Sequence, residues 1–302
     1  MLYGSKAENG NGGSGMWLIF ALASAGFAGL TAILSKIGIK NTDSSVATAL
    51  RTIVVLIFAW VMVFVTGGYS PLSDIEPRTL VFLILSGLAT GASWLCYFRA
   101  LQLGDVNKVT PIDKSSTVLT ILLAAVFLGE EIGLYKAIAI VFIAVGTLLM
   151  ITSKPSDKDK AKGGIRWAIY AVLSAVFAAL TSILGKVGIQ GIDSNLGTAI
   201  RTCVVLLMAW AVVFVTGKAK EVRRIDRRSL VFIALSGIAT GGSWLCFYRA
   251  LQTGDASVVV PVDKLSIIPT VLFSFIILKE KMSRKSIAGL VCVVGGTLLM
   301  LL

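Results

Sequence analysis

Two short segments place an aspartate beside a lysine within strongly apolar sequence: Pro111-Ile112-Asp113-Lys114-Ser115-Ser116 and Pro261-Val262-Asp263-Lys264-Leu265-Ser266. An acid, a cation and a hydroxyl (Ser116, Ser266) so close together can bind a polar solute, carry a proton or pair with other charges. Further ionisable and aromatic residues recur in the same paired way. Arg51 matches Arg201, Trp94 matches Trp244, and Tyr97 has a near counterpart in Tyr248. Nearer the ends of apolar stretches stand Lys36, Lys186, Arg99 and Arg249. A charge near the centre of a membrane helix costs about 2.5–3.5 kcal/mol on insertion scales, so each is a candidate functional group.

Each candidate also has a plainer reading. Asp113 could pair with Arg51, Arg99 or Lys36 and only lock the packing. Trp and Tyr gather at membrane interfaces, and Arg99 and Arg249 lie where a side chain snorkels to headgroups. Pro111 and Pro261 remove a backbone donor, so the helix starts that carry the Asp–Lys pairs are expected to be kinked or partly unwound. Opened helix starts direct amides and the positive dipole end into a cavity.

The elements that must position these groups follow from composition. The 302 residues are 56% hydrophobic and 15% charged, against about 25% charged in soluble domains. Long apolar stretches recur, several roughly 20 residues long, enough to cross a bilayer as helix. No stretch alternates with a period of two, which argues against a β-barrel. Residues 1–15, MLYGSKAENGNGGSG, lack a basic start and read as a flexible tail or fusion scar. Cys96, Cys203, Cys246 and Cys292 fit no metal spacing, and histidine is absent, so no metal or cofactor is expected. The net charge of +12 sits in loops, which points to a membrane face rather than nucleic acid.

A constant offset of 150 residues maps one half onto the other. GLATGASWLCYFRALQLGD (87–105) matches GIATGGSWLCFYRALQTGD (237–255), and TALRTIVVL (48–56) matches TAIRTCVVL (198–206). Residues 16–152 and 166–302 are thus two repeats joined by a polar basic linker at 153–165. Five helices are predicted in each: 16–38, 45–66, 79–102, 107–128 and 133–152, then 166–188, 195–216, 229–252, 257–278 and 284–301. An odd number per repeat puts the ends of each unit on opposite sides, so the second must be inverted about an axis in the membrane plane. Equivalent loops differ in basic residues accordingly: GGYSPLSDIEPRT carries only Arg78, whereas GKAKEVRRIDRRS carries six Lys or Arg. By the positive-inside rule the linker and the 217–228 and 279–285 loops are cytoplasmic and both termini outside.

The segments FRALQLGD, VTPIDKSS and GTLLM, with their second copies, resemble the EamA domain of the drug/metabolite transporter superfamily, especially its short five-helix bacterial members. The resemblance covers 16–302. It implies an all-α, ten-helix inner-membrane transporter working by alternating access, with helices three and four of each repeat lining a central cavity. Small multidrug-resistance relatives carry a glutamate in helix one, and no carboxylate stands in helix one or six here.

The reading is therefore a multi-pass secondary transporter of a small polar or anionic organic solute, such as an amino acid or metabolite, with no enzymatic activity. Its partners are the lipid bilayer and an unspecified solute, with no nucleic acid and a monomer of two halves in preference to a homo-oligomer. The alternative is a fused or engineered inverted-repeat protein, derived from a dual-topology unit, without efficient transport.

Overall fold

The computed structural model describes residues 16–39, 42–71, 74–104, 106–151, 165–278 and 283–300. Among them are twelve α-helices and no strand. The first half contains α1 (Met16–Gly38), α2 (Ser44–Thr66), α3 (Pro77–Leu103), α4 (Val106–Lys114), α5 (Ser116–Leu128) and α6 (Leu134–Ile151). The second contains α7 (Arg166–Gly188), α8 (Ser194–Val215), α9 (Arg227–Thr253), α10 (Ala256–Lys264), α11 (Ile267–Leu278) and α12 (Arg284–Leu299). A 3-10 turn, Lys218–Arg224, follows α8. The expected tail 1–15, linker residues 153–164 and loop residues 279–282 lie outside the described residues.

Eight helical stretches are long and apolar enough to cross a membrane, and Leu134–Met150 is a shorter apolar helix. Large side chains such as Phe64, Val126, Leu207 and Val215 point outward, as they do where lipid rather than water is the solvent. Helix starts follow local chemistry. Asp43 accepts from the amides of Ser45 and Val46 at the start of α2, and Asp193 from those of Asn195 and Leu196 at the start of α8. Gly67, with φ of 68°, closes α2 in the left-handed conformation that favours glycine.

One element differs from the sequence expectation. The single helices expected over 107–128 and 257–278 are each broken directly after the Asp–Lys pair, at Ser115 and at Leu265–Ser266. Pro111 and Pro261 lie inside the short segments α4 and α10, so the helix starts are formed rather than unwound. Proline cannot donate and crowds the carbonyl four residues back. The irregularity is taken up one turn later by tight i→i−3 bonds: Val118 N to Ser115 O at 3.0 Å, Ser266 N to Asp263 O at 3.1 Å and Ile268 N to Leu265 O at 2.9 Å.

The two halves pack by exchange. Helix α1 lies against α9 and α3 against α7, and both pairs run antiparallel. Their seams are built from hydroxyls: Ser24 with Ser243 at 3.1 Å and Thr31 with Thr240 at 3.3 Å, then Ser93 with Ser174 at 3.3 Å and Thr90 with Thr181 at 3.2 Å. Equivalent helices also pair head to tail. At one end of the α2–α8 pair Lys218 bonds Asp43, and at the other Asn195 Nδ2 donates to Thr66 Oγ1 at 3.0 Å. Helices α6 and α12 approach through glycine, because small residues let backbones come close. A Cβ placed on Gly289 would fall 2.5 Å from the Gly146 carbonyl oxygen, whereas one on Gly295 would meet nothing within 4 Å. Gly289→Leu is therefore expected to destabilise the purified protein by about 1–3 kcal/mol through overpacking. Thermal unfolding in detergent checks this, with Gly295→Ala near the parent value as control.

Candidate functional site

The exchange packing leaves a cavity of about 190 Å³ between the halves. Both Asp–Lys pairs reach it, Asp113 and Lys114 from the end of α4 and Asp263 and Lys264 from the end of α10. The breaks after each pair end these helices at the cavity. Arg51, Trp94, Tyr97, Trp244 and Tyr248 complete the set of expected residues that line it.

Neither aspartate forms the ion pair that the plainer reading required. Ser174 Oγ donates to Asp113 Oδ1 at 2.8 Å, and Ser24 Oγ donates to Asp263 Oδ1 at 2.6 Å. Each donor comes from the first helix of the opposite half. The same serines meet Ser93 and Ser243, so each carboxylate ends a short chain of hydroxyls. Among the described residues neither Asp113 nor Asp263 has a Lys or Arg within ion-pair distance.

The lysines are less alike. Lys114 Nζ donates to Ser266 Oγ at 2.8 Å, across the interface between halves. Lys264 has no hydrogen-bond partner among the described residues, and the buried hydroxyl of Ser116, the counterpart of Ser266, is also unpaired. The tryptophans meet at the interface with ring centroids 4.7 Å apart and planes at 45°. They lie inside the bundle rather than in a membrane-surface belt. The guanidinium of Arg51 lies 4.2 Å from the Trp94 ring and 4.4 Å from Phe98. That of Arg201 lies 4.0 Å from Tyr248 and 5.5 Å from Trp244. Such contacts are favourable for a desolvated cation.

Several expected residues do not line the cavity. Arg201 is fully buried behind it. Ser116 and Ser266 sit at the helix breaks. Arg99 and Arg249 are exposed and bond Gln102 and Gln252 on their own helices at 3.1 and 2.8 Å. Lys36 donates to the Leu101 carbonyl at 3.3 Å. Residues that the sequence reading passed over do line it: Ser24, Ser93, Ser243, Phe98 and Phe247 among them. Their signal was the 150-residue pairing of Ser24 with Ser174 and Ser93 with Ser243 inside apolar helices.

At one end of the bundle the halves are tied by charge. Glu130, after α5, accepts from the amides of Ala256 and Ser257 at 3.0 and 2.8 Å, the first residues of α10. Lys186 Nζ lies 3.4 Å from Glu130 Oε1 and donates to the Gly254 carbonyl at 2.9 Å. Lys136 Nζ donates to Ser257 Oγ at 2.8 Å. A carboxylate on helix amides with the dipole behind them is well placed. The sequence counterpart of Glu130, Glu280, lies outside the described residues.

The model of the EamA-like transporter family matches residues 15–152 and again 165–302. The chain belongs to the EamA-like transporter family. An uncharacterized transporter in the cobO 3′ region of Sinorhizobium sp is 48% identical over 134 residues, covering 44% of this chain and 95% of the relative. An S-adenosylmethionine uptake transporter of Rickettsia bellii is 27% identical over 220 residues, 71% of this chain and 70% of the relative. A crystal structure with 16% identity superposes with a TM-score of 0.69, covering 92% of this chain and 98% of the other, which is a likeness of fold. Membership makes this EamA-like chain a multi-pass membrane protein whose relatives are transporters. Among the described residues no cluster of three His, Cys, Asp or Glu could hold a metal ion.

Glu130 carries a pH dependence. Partial burial works to raise its carboxyl, but the Ser257 hydroxyl and amide, Lys186 and the Ala256 amide outweigh it and hold it below the usual carboxylate range. A carboxylate depressed in the folded state stabilises fully above its unfolded value, about 4.3, and that stabilisation is lost as pH falls through the folded value. Glu130→Gln is expected to lower stability at pH 7 by about 1–3 kcal/mol. It should also flatten the acid limb of a melting-temperature profile between about pH 5 and 3 relative to the parent.

Proposed function

We propose that the chain is a secondary active transporter moving a small polar or anionic organic solute, an amino acid or metabolite, across the inner membrane by alternating access around the central cavity. The observation that carries this reading is the placement of Asp113–Lys114 and Asp263–Lys264, one pair from each half, on one cavity at the interface between the halves. A solute held there touches both halves, so rocking one against the other can move the opening from side to side while the site stays in place.

The topology proposed with it has ten crossings. Helices α4 with α5, and α10 with α11, each count as one broken crossing, which gives five per repeat. The antiparallel pairing of α2 with α8 and of α6 with α12 supports repeats of inverted topology. The excess of Lys and Arg in 217–228 supports a cytoplasmic location for that loop, with the linker and the 279–285 loop on the same side and the termini outside. The cavity needs only the two halves of one chain, which supports a monomeric unit. The Sinorhizobium relative is about one repeat long, which favours descent from a fused dual-topology unit. The competing reading, a fused scaffold without efficient transport, draws on the same fact.

Relatives named for S-adenosylmethionine uptake support an amino-acid-derived solute as one class to try. Asp113 and Asp263 are the groups proposed to couple transport to protons, with Lys114 and Lys264 as charge partners. In proteoliposomes a pH gradient is expected to drive uptake from a panel of amino acids and organic acids. Asp113→Asn with Asp263→Asn should reduce the gradient-driven rate roughly a hundredfold or more, the usual scale for a lost proton-transfer group. Unchanged pH-driven uptake in the double variant removes the coupling role, and no uptake of any panel member by the parent chain favours the scaffold reading.

A further inference from the structure

Arg51 and Arg201 hold equivalent positions in the two repeats but are bonded differently. Arg201 Nε donates to Ser86 Oγ at 2.9 Å and its Nη2 to Thr90 Oγ1 at 2.8 Å, both on the opposite half. Among the described residues Arg51 makes one hydrogen bond, from Nη1 to Ser35 Oγ at 3.0 Å. It is 3% exposed, lines the cavity, and its Nε is buried without a partner. Arg201 Nη1 is unpartnered too, but that side chain does not reach the cavity lining. Among the described residues no carboxylate pairs with either guanidinium.

Two substitutions between the repeats explain the difference. Gly185 stands where the first half has Ser35, and Tyr248 where it has Phe98. A Cβ on Gly185 would fall 3.4 Å from the Tyr248 hydroxyl and 3.2 Å from Ser86 Oγ. Glycine thus makes the room in which that hydroxyl, Ser86 and Arg201 pack together. In the first half Phe98 brings no hydroxyl, and a void of about 10 Å³ lies between Arg51, Ser35, Phe98 and Ser236. Arg51, which lines the cavity, is left with an Nε–H that no described residue accepts.

The cavity lining carries three cations, Arg51, Lys114 and Lys264, against two carboxylates, Asp113 and Asp263. One negative charge balances it, which suits a carboxylate better than a doubly charged phosphate. The planar edge of a guanidinium matches the two oxygens of a carboxylate, and the Trp94–Trp244 pair offers aromatic surface beside it. We propose that Arg51, and not Arg201, is the anion-binding residue of the cavity: a compact organic monocarboxylate sets its carboxylate on the unpartnered edge of Arg51 and its body against the two tryptophans. This rests on the transporter reading above and names its solute class. Arg201 is then a post that joins α8 to α3.

The test is binding by the purified chain in lipid nanodiscs, with benzoate and its uncharged analogue benzamide as probes, read by tryptophan fluorescence and thermal shift. Benzoate is expected to give a saturable response and benzamide none. Arg51→Gln should weaken benzoate roughly tenfold to a hundredfold, the scale of a lost hydrogen bond to a charged group, whereas Arg201→Gln should lower the melting temperature and change benzoate affinity less than about threefold. A second variant keeps the guanidinium. Ser35→Gly with Phe98→Tyr gives the first half the residues of the second, and is expected to cut benzoate affinity by a similar factor with the melting temperature held. No saturable benzoate response, an equal response to benzamide, or an Arg201 variant as damaging to affinity as the Arg51 variant overturns the proposal. Flux is read separately. Uptake that survives Arg51→Gln keeps the transporter and removes this site, and Arg51-dependent binding without uptake does the reverse.

Discussion

A carboxylate inside a lipid-embedded bundle must find its donors in the protein, because the surrounding hydrocarbon supplies none. Here the donor comes from the opposite half: Ser174 for Asp113 and Ser24 for Asp263. The two bonds tie the end of α4 to α7 and the end of α10 to α1. Moving either pair of helices apart leaves a carboxylate oxygen without its donor, so these serines help fix where the halves touch. Ser174 and Ser24 also belong to the hydroxyl seams of α3 on α7 and α1 on α9, so the packing that closes those seams also sets the two carboxylates at the cavity.

The duplicated architecture is not symmetric in its bonding. Lys114 reaches Ser266, while Lys264 and Ser116 do not bond. At the ends of α2 and α8, Lys218 pairs with Asp43, but the equivalent position is Gly68. A Cβ there would collide with the Asp193 carboxylate. The lysine that pairs with the aspartate in one half is therefore replaced in the other by a glycine that the aspartate packs against. The latch of Glu130 and Lys186 on the start of α10 adds a charged tie at one end of the bundle. With both repeats in one chain, each copy can change without its partner, and the two arginines show how far two substitutions carry that divergence.

Much of the fold was legible because membrane insertion is decided by local composition. The starts of α1, α2, α7, α8 and α12 fall within a residue of the expected positions, since Asp43 caps α2, Asp193 caps α8 and Ser283 caps α12, and the apolar run begins at α1 and α7. The breaks after Lys114 and Lys264 were not foreseen at those residues. Proline announces an irregular helix but not where the neighbouring backbone absorbs it. The arginine environments were illegible for a similar reason, as the partners of Arg201 lie 115 and 111 residues away.

The sequence by itself determined that the chain is a helical membrane protein built from two copies of one unit, with paired charges in the spans. Hydropathy and a fixed offset need no knowledge of partners. Tertiary structure alone decided which serine serves which aspartate, that the tryptophans meet across the interface, and that Arg51 lines the cavity while Arg201 is sealed behind it. Each of those depends on distances of a few ångströms between helices far apart in the chain, where one hydroxyl more or less redirects a guanidinium.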